Sequence, residues 1–169
     1  MPFELHPAPN PTRRPESDYL QTAWKQRIYP MAEKLGVRMK LPTVSPYPYT
    51  SLAFQGLEFA KDQGKGDEYN DAVFRAFFQQ SRDIGRIDVL ADIANEVGLD
   101  PEQFRAALEQ GTYRDRVRQL LQTAYERIRV TAVPTMIIGR QRLEGLYPAE
   151  TMRQVIESEL AHEAAESSL

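Results

Sequence analysis

The sequence predicts an α+β fold in which a block of helices is inserted between parts of one sheet. Three observations lead to this prediction: an extended piece opens the chain, apolar residues recur at helical spacing through its middle, and two β-rich runs follow residue 130. The chain has 169 residues, of which 41% are hydrophobic and 27% charged. This is the composition of an ordinary globular domain, and the length is sufficient to bury a core.

The N-terminal part combines proline-rich segments with one helix. The stretch PFELHP, at residues 2–7, is predicted to be extended and to supply a lone strand, whereas the four prolines of residues 7–15 exclude a helix there. Helical spacing then covers residues 16–35, where Pro30 predicts a kink or a break. Residues 41–50, LPTVSPYPYT, are again expected to be extended.

The middle of the chain is predicted to be helical. Apolar residues recur at three- and four-residue intervals over residues 51–64 and 68–80, and again in RIDVLADIANEVGL, where Gly98 is expected to end the helix. The core is expected to include the aromatic residues Trp24, Phe74, Phe77 and Phe78.

A local N-terminal signature marks the next helix. Asp100 is a good N-cap, Pro101 suits the first helical position, and Gln103 occupies the capping-box position. A further helix is expected from Thr112 to about residue 128, which completes the block.

The pattern changes at Val130. PTMIIG and RQRLEG are β-rich runs, and Gly139, Arg140 and Gln141 are expected to form a tight hairpin turn between them. Pro148 then opens a last amphipathic helix, and the tail at residues 164–169 is expected to fray.

The absence of cysteine from the 169 residues excludes disulfides, thiolate nucleophiles and cysteine metal sites within them. The two histidines, His6 and His162, lie near opposite ends, so we expect neither a catalytic histidine nor a metal site. The nine glycines are scattered singly, which leaves no phosphate-binding loop, and we expect no cofactor. The last helix is expected to present a solvated acidic face made of Glu157, Glu159, Glu163 and Glu166.

Charge and hydropathy limit the partners. The formal net charge of −3 provides no overall basic footprint for nucleic acid or anionic lipid. No apolar run approaches the roughly 18 residues of a membrane helix. The first sixteen residues lack the three sections of a signal peptide. We therefore expect a cytoplasmic protein that binds neither nucleic acid nor membrane.

Pro134 stands at the mouth of the first β-rich run. The residues alone leave two explanations open: a steric start signal for the strand, or a cis peptide that fixes a sharp bend. However, the order of the C-terminal elements resembles that of the C-terminal half of the thioredoxin fold. The order is a helix, VTAVPT, a strand, a hairpin, a strand, G-x-x-P and a helix. In that fold a cis-proline loop stands opposite the redox centre.

Longer stretches resemble the DsbA-like proteins of the FrnE type, which are thioredoxin-fold thiol–disulfide oxidoreductases with a helical insertion. The stretches that carry this resemblance are RPESDYL, LEFAKDQGKGDEYNDAVFRAFFQQSRDIG, VLADIANEVGLDPEQFRAAL and VPTMIIGRQRLEG with PAETMRQVIE. The resemblance implies a thioredoxin-like fold of the DsbA type, with residues 1–15 and 112–169 in a partial thioredoxin-like domain and residues 16–111 in a helical insertion.

The chain departs from the family in its redox segment. Family members begin with a strand and a C-x-x-C motif on a long helix, followed by a second strand that PFEL resembles. Thiol–disulfide exchange needs a thiolate, so we expect this chain to be redox-inactive unless a C-x-x-C segment lies upstream. In the thioredoxin arrangement the absent first strand lies between PFEL and TMII. We therefore expect one of three outcomes there: dimerisation or exchange of elements between chains through the unpaired edges, pairing of PFEL with TMII, or a longer natural form that carries the motif.

The resemblance also implies a substrate-binding loop. Val133 would offer its backbone N–H and C=O to an extended peptide or a protein thiol or disulfide substrate, Pro134 would hold it, and the Thr135 hydroxyl would face the redox position. Ala132 stands where the family often has glycine. Tyr47 and Tyr49 are weaker candidates for lining a groove, since aromatic residues between prolines more often pin a connector to the core. Arg82 and Asp83 fall in a stretch typical of the family, and an interhelical salt bridge or a cap explains them as well as a ligand would.

Two alternatives stay open at this point. One is a non-catalytic module that binds peptides or a protein partner through the Pro134 loop, in which case Val133→Pro or Pro134→Ala would weaken binding. The other is kinship with glutathione-dependent isomerases and kappa-class transferases, which share the helical insertion and the Val-Pro loop but use an N-terminal serine.

Overall fold

The computed structural model describes residues 1–166. Its elements are helices α1 (Asp18–Ala23), α2 (Tyr29–Lys34), α3 (Ser51–Asp62), α4 (Gly66–Phe78), α5 (Ile87–Glu96), α6 (Pro101–Gln110), α7 (Arg114–Gln122) and α8 (Ala149–Glu166), strands β1 (Thr135–Ile138) and β2 (Gln141–Glu144), and π-helical turns at Trp24–Ile28 and Thr123–Arg127. They fall into two compact units, Met1–Leu121 and the residues from Gln122 onward. The predicted domain division of 1–15 with 112–169 against 16–111 stays a prediction.

The first helix forms where the spacing predicts it and carries the irregularity expected at Pro30. Ser17 caps α1 by accepting a hydrogen bond from the Leu20 backbone N–H at 3.4 Å. Pro30 has no N–H to donate to the preceding turn, and that turn is π-helical, with the Tyr29 N–H bonded to the Trp24 carbonyl. The kink thus takes the form of a wider turn between α1 and α2.

Helices α3 to α6 enclose the core of the first unit. Their inward faces follow helical spacing, so that Leu90, Ile93 and Phe104 lose all contact with solvent. Each such side chain stabilises the fold by about 1.5–3 kcal/mol. The other buried members of the cluster are Ala53, Phe59, Ala60, Tyr69, Ala72, Ala76, Phe77, Ile84, Ala91, Ala94, Leu99 and Leu108.

The cap of α6 is formed by the residues that predicted it. Asp100 Oδ1 accepts hydrogen bonds from the backbone N–H groups of Glu102 and Gln103 at 2.9 and 3.0 Å. The Gln103 side-chain amide donates to Asp100 Oδ2 at 2.9 Å, so it reaches the carboxylate of the cap. The Asp100 pKa is lowered, chiefly by the Gln103 backbone N–H, because the charged form accepts these bonds best.

One buried charge ties α3 to α7. Glu58 is only 2% exposed, and its carboxylate lies 2.7 Å from both Lys61 Nζ and Arg116 Nε. Arg116 also reaches Asp62 at 2.8 Å. A buried carboxylate is tolerated only when it is paired in this way. Arg116 therefore connects α7 with two turns of α3.

The second unit contains the hairpin and the last helix. β1 and β2 are antiparallel, with Thr135 opposite Glu144 and Ile138 opposite Gln141, so the turn consists of Gly139 and Arg140 alone. Gln141, predicted to lie in the turn, is instead the first residue of β2. Helix α8 begins one residue after Pro148, as predicted.

Besides the placement of Gln141, three sequence predictions are wrong within the described residues. The first is the N-terminal strand: residues 2–5 form no strand, and the sheet of residues 1–166 consists of β1 and β2. The predicted pairing of PFEL with TMII is therefore not seen. So short a segment becomes a strand only where another strand pairs with it.

The other two errors concern single side chains. Phe74 is 56% exposed, because the buried stripe of α4 passes through Tyr69, Ala72 and Ala76 and residue 74 points away from it. Glu159, predicted to be solvated, is buried. Of the tail expected to fray, residues 164–166 are helical and residues 167–169 lie outside the described residues.

Candidate functional site

The loop between the Thr123–Arg127 turn and β1 carries three of the predicted site residues. The Val133–Pro134 peptide bond is cis. Val133 is 47% exposed and Pro134 is exposed, whereas Thr135, the first residue of β1, is half-buried. The structure thus brings Val133, Pro134 and Thr135 together at the entry to the hairpin.

Two hydrogen bonds hold this loop. Thr135 Oγ1 donates to the Ala132 carbonyl at 2.6 Å, so the hydroxyl proton is used within the loop itself. The Gly145 backbone N–H donates to the Pro134 carbonyl at 2.8 Å, which joins the start of β1 to the residue that follows β2. Both bonds fix the residues on either side of Val133.

Val133 itself is left available. Within residues 1–166, neither its backbone N–H nor its carbonyl takes part in a hydrogen bond. A backbone N–H and C=O without partners beside a strand can pair with an extended polypeptide, as an added strand does. The loop therefore presents the Val133 N–H and C=O without partners, between two residues that hydrogen bonds hold in place.

The hairpin turn is held by a side chain that sequence reasoning missed. Glu159 Oε2 accepts a hydrogen bond from the Arg140 backbone N–H at 2.8 Å, and Oε1 lies 3.4 Å from the Gln141 side-chain amide. The bond from Arg140 is the main cause of the lowered pKa of this carboxyl. Its position in the sequence could have indicated that it is buried. Glu159 stands seven residues after Met152, on the apolar face of α8.

Arg142 attaches β2 to the end of the preceding helical segment. Its guanidinium donates to the carbonyls of Ile128 and Arg129, the latter at 2.8 Å, and lies 2.6 Å from Glu144 Oε1. The end of the preceding helical segment is thereby attached to β2. Glu159 and Arg142 together support the hairpin from which the Val133 loop extends.

Tyr47 and Tyr49 lie in the first unit. The Tyr47 ring meets Phe77 edge-on at 5.3 Å, its hydroxyl is buried without a partner in residues 1–166, and burial raises the Tyr47 pKa to about 12. Tyr49 Oη donates to the Asn10 carbonyl at 3.0 Å. Both therefore pin the proline-rich connector, and a role in a groove stays a prediction.

Arg82 and Asp83 have structural partners. Arg82 Nη1 lies 2.6 Å from Glu96 and Nη2 donates to the Val89 carbonyl at 3.3 Å, which joins the α4–α5 connection to α5. Asp83 accepts a hydrogen bond from the Gly85 N–H at 3.0 Å. Arg82 thus forms the salt bridge that the sequence allowed, whereas Asp83 holds a turn with Gly85 and not a helix cap.

In the described part of the chain, no three His, Cys, Asp or Glu residues come together as metal ligands would. None of the helices described has both the length and the apolar surface needed to cross a membrane.

The chain is similar to known proteins over most of its length. The family model of the DSBA-like thioredoxin domain matches residues 1–157. YwbO of Bacillus subtilis (strain 168) is 51% identical over 160 residues, which cover 94% of this chain and 80% of YwbO.

Two solved structures share the fold. A probable DsbA oxidoreductase from Streptomyces coelicolor superposes with a TM-score of 0.71 at 23% identity, covering 86% of this chain. The chain spans only 62% of the length of that structure. A candidate protein disulfide isomerase from Nitrosomonas europaea gives a TM-score of 0.73 at 16% identity, covering 93% of this chain and 79% of its own.

Proposed function

Because the chain belongs to the family of DSBA-like thioredoxin domains, we propose that it binds an extended segment of a protein thiol or disulfide substrate at the Val133–Thr135 loop. In this role it is the substrate-binding part of a DsbA-like oxidoreductase. The observation that carries the proposal is the backbone of Val133, whose N–H and C=O have no partner in residues 1–166.

The geometry of the loop favours binding by backbone hydrogen bonds. Thr135 and Gly145 fix the flanking carbonyls of Ala132 and Pro134, so a bound peptide need not order the loop first. The exposed Val133 side chain adds apolar contact beside the backbone pair. Backbone pairing tolerates many sequences, which suits a site that accepts unfolded protein segments.

The chemistry of exchange lies outside these 169 residues. Disulfide exchange begins with attack by a thiolate, and the chain has no cysteine to supply one. In this proposal the loop binds the substrate, and the sulfur that reacts with it is supplied from outside these residues. We propose the FrnE type within the family, on the strength of the FRAFFQQSRDIG and VPTMIIG stretches.

A peptide without disulfides tests the binding step alone. S-carboxymethylated insulin B chain, titrated into the ¹⁵N-labelled protein, is expected to shift the Val133 and Thr135 amide resonances. Val133→Pro removes one donor and weakens binding about three- to tenfold, the free-energy scale of one hydrogen bond. The matched control, Val133→Ala, keeps the N–H and stays within about twofold of the original affinity.

Two results would count against the proposal. Equal affinity of the proline and alanine variants would show that the Val133 N–H is not used. Acceleration of dithiothreitol-dependent insulin reduction by this cysteine-free chain would contradict the separation of binding from exchange. Thermal unfolding of both variants, followed by circular dichroism, checks that the fold is retained.

Two finer predictions accompany this function, and one measurement would favour the alternative. We propose a cytoplasmic location, supported by the lack of cysteine and the ordinary soluble composition. A homodimer through unpaired sheet edges is supported by the pairing of β1 with β2 alone within residues 1–166. Glutathione binding, measured by calorimetry, would favour the kappa-class kinship instead.

A further inference from the structure

An exposed aromatic surface lies on the first unit, far in sequence from the Val133 loop. Four rings form a continuous chain: Tyr29 lies 5.4 Å from Trp24, Trp24 lies 6.1 Å from Phe78, and Phe78 stacks on Phe74 at 6.0 Å. The inner rings are buried or half-buried, whereas Tyr29 is 42% and Phe74 56% exposed. The ring chain therefore leaves an exposed aromatic side chain at each end, and contiguous exposed apolar surface is a feature of interaction sites.

The segment that follows α2 extends this surface. Leu35 and Val37 are exposed, and the Val37 N–H donates to the Ala32 carbonyl at 2.8 Å. The Lys40 N–H donates to the Phe78 carbonyl at 2.8 Å, and the Gln79 amide donates to the Arg38 carbonyl at 2.9 Å. The last two bonds hold residues 38–40 against the end of α4, beside the Phe78 ring, and the first holds Val37 against α2.

The chain segment that contributes Trp24, Tyr29 and residues 35–40 carries a local excess of positive charge. Residues 24–40 contain five basic side chains and one carboxylate, Glu33, although the whole chain has a formal charge of −3. All five are exposed, and none has an ion-pair partner within residues 1–166. They are Lys25, Arg27, Lys34, Arg38 and Lys40.

From this combination we propose that the Tyr29–Phe74 face, meaning the ring chain with residues 35–40 and the five basic side chains, docks an acidic polypeptide segment that carries aromatic or aliphatic side chains. The apolar groups of the partner lie against Tyr29 and Phe74, and its carboxylates meet the unpaired cations. Charges around an apolar centre select the partner and speed its approach. The proposal is independent of the peptide-binding loop, because it uses none of its residues.

The chain contains its own reporter for this surface. Trp24 is the single tryptophan, and its ring lies in the middle of the ring chain. A bound segment that covers Tyr29 and Phe74 changes the surroundings of Trp24 and therefore its fluorescence. The probe is a fifteen-residue peptide of glutamate with leucine or phenylalanine at every third or fourth position.

The acidic peptide is expected to bind saturably with a Kd below about 100 µM, more weakly as salt is added. Reversing three unpaired cations together, in R27E/K34E/R38E, lowers the affinity at least about tenfold. The control triple reversal K65E/R118E/R153E, which changes the charge equally at ion-paired sites elsewhere, stays within about twofold. Phe74→Ser weakens binding about fivefold or more, whereas Tyr19→Ser, at another exposed ring, does not.

The same titration contains the results that would overturn the proposal. They are no saturable binding up to about 1 mM, equal affinity of the two triple variants, or equal binding of a peptide with lysine in place of glutamate. Tighter binding of a fifteen-nucleotide oligothymidylate or of phosphatidylglycerol vesicles would assign the face to nucleic acid or lipid instead. Val133→Pro is expected to leave this binding unchanged, which separates it from the loop.

Discussion

The carboxylate of Glu159 accepts a hydrogen bond from the backbone N–H of Arg140 at 2.8 Å, so a helix residue holds the turn of the hairpin. Glu159 is 6% exposed and also approaches the Gln141 amide. The turn joins β1 to β2, and β1 begins at the loop proposed to bind peptide. One carboxylate therefore supports the register of the strands that position Val133.

The charge of Glu159 is expected to make the hairpin sensitive to acid. The folded-state pKa of Glu159 lies below its ordinary value, chiefly through the Arg140 N–H. Its contribution to stability is therefore complete above the unfolded-state pKa of about 4.3 and is lost as pH falls through the lower folded value. The Arg140 amide resonance, followed by NMR during acid titration, should move with an apparent pKa below that of an exposed glutamate.

Substitution provides the control for this prediction. Glu159→Gln removes the charge and should abolish the low-pH shift of the Arg140 resonance, whereas Glu157→Gln on the exposed side of α8 should leave it in place. An unchanged titration in Glu159→Gln would assign the shift to another group.

Gly139 is expected to resist substitution for two separate reasons. Its φ of +54° lies in the left-handed region, and a Cβ atom there would collide with the Glu159 carboxylate. Gly139→Ala should lower the free energy of unfolding by about 2–4 kcal/mol, the sum of backbone strain and overpacking. Chemical denaturation measures this loss.

Comparison variants separate the two causes. Gly36→Ala has a similar φ of +67° but open space around the added methyl, so it should cost only about 1–2 kcal/mol. Adding Glu159→Ala to Gly139→Ala should remove the collision and make the pair of changes cost less than their sum. Strict additivity would argue against the contact.

Local signals in the sequence predicted the structure best. The cap at Asp100 depends on groups at most three residues away, and the π-helical turn before Pro30 depends on one absent N–H. The thioredoxin-like fold of the DsbA type was confirmed as well, since long stretches carried the family resemblance. The cap and the wider turn were predictable because the residues that determine them are close in sequence.

Features that need a distant partner were missed. The helical pattern places Glu159 on the apolar face of α8, but it does not identify the amide 19 residues away that this carboxylate meets. PFEL could become a strand only beside another strand, and Phe74 could not be separated from its aromatic neighbours before the buried stripe of α4 was known. These errors arise because tertiary packing decides between patterns that are locally equivalent.

Tyr69→Phe is expected to stabilise the protein. The Tyr69 ring is fully buried against Phe104, and its hydroxyl has no hydrogen-bond partner within residues 1–166, so burial raises its pKa. Removing an unpaired buried hydroxyl should raise the free energy of unfolding by about 1 kcal/mol. Urea denaturation of both proteins provides the measurement.

Tyr113 offers the matched comparison. Its hydroxyl donates to Asp62 Oδ2 at 3.0 Å, so Tyr113→Phe should lower the free energy of unfolding by about 0.5–1.5 kcal/mol. If both changes destabilise equally, the Tyr69 hydroxyl has a partner, such as a buried water.

Arg116→Ala is expected to be the most damaging change at an exposed arginine. It removes the link between α7 and α3 and leaves the buried Glu58 carboxylate with Lys61 as its remaining ion-pair partner within residues 1–166. Because Arg116 is partly solvated and Lys61 remains, the loss should be about 1–2 kcal/mol, below that of a fully buried pair. Arg118→Ala, which disrupts an exposed pair with Asp115, should cost under about 0.5 kcal/mol. A double-mutant cycle of Arg116→Ala with Glu58→Gln measures the coupling, and a value near zero would show that the Glu58 carboxylate depends on Lys61 alone.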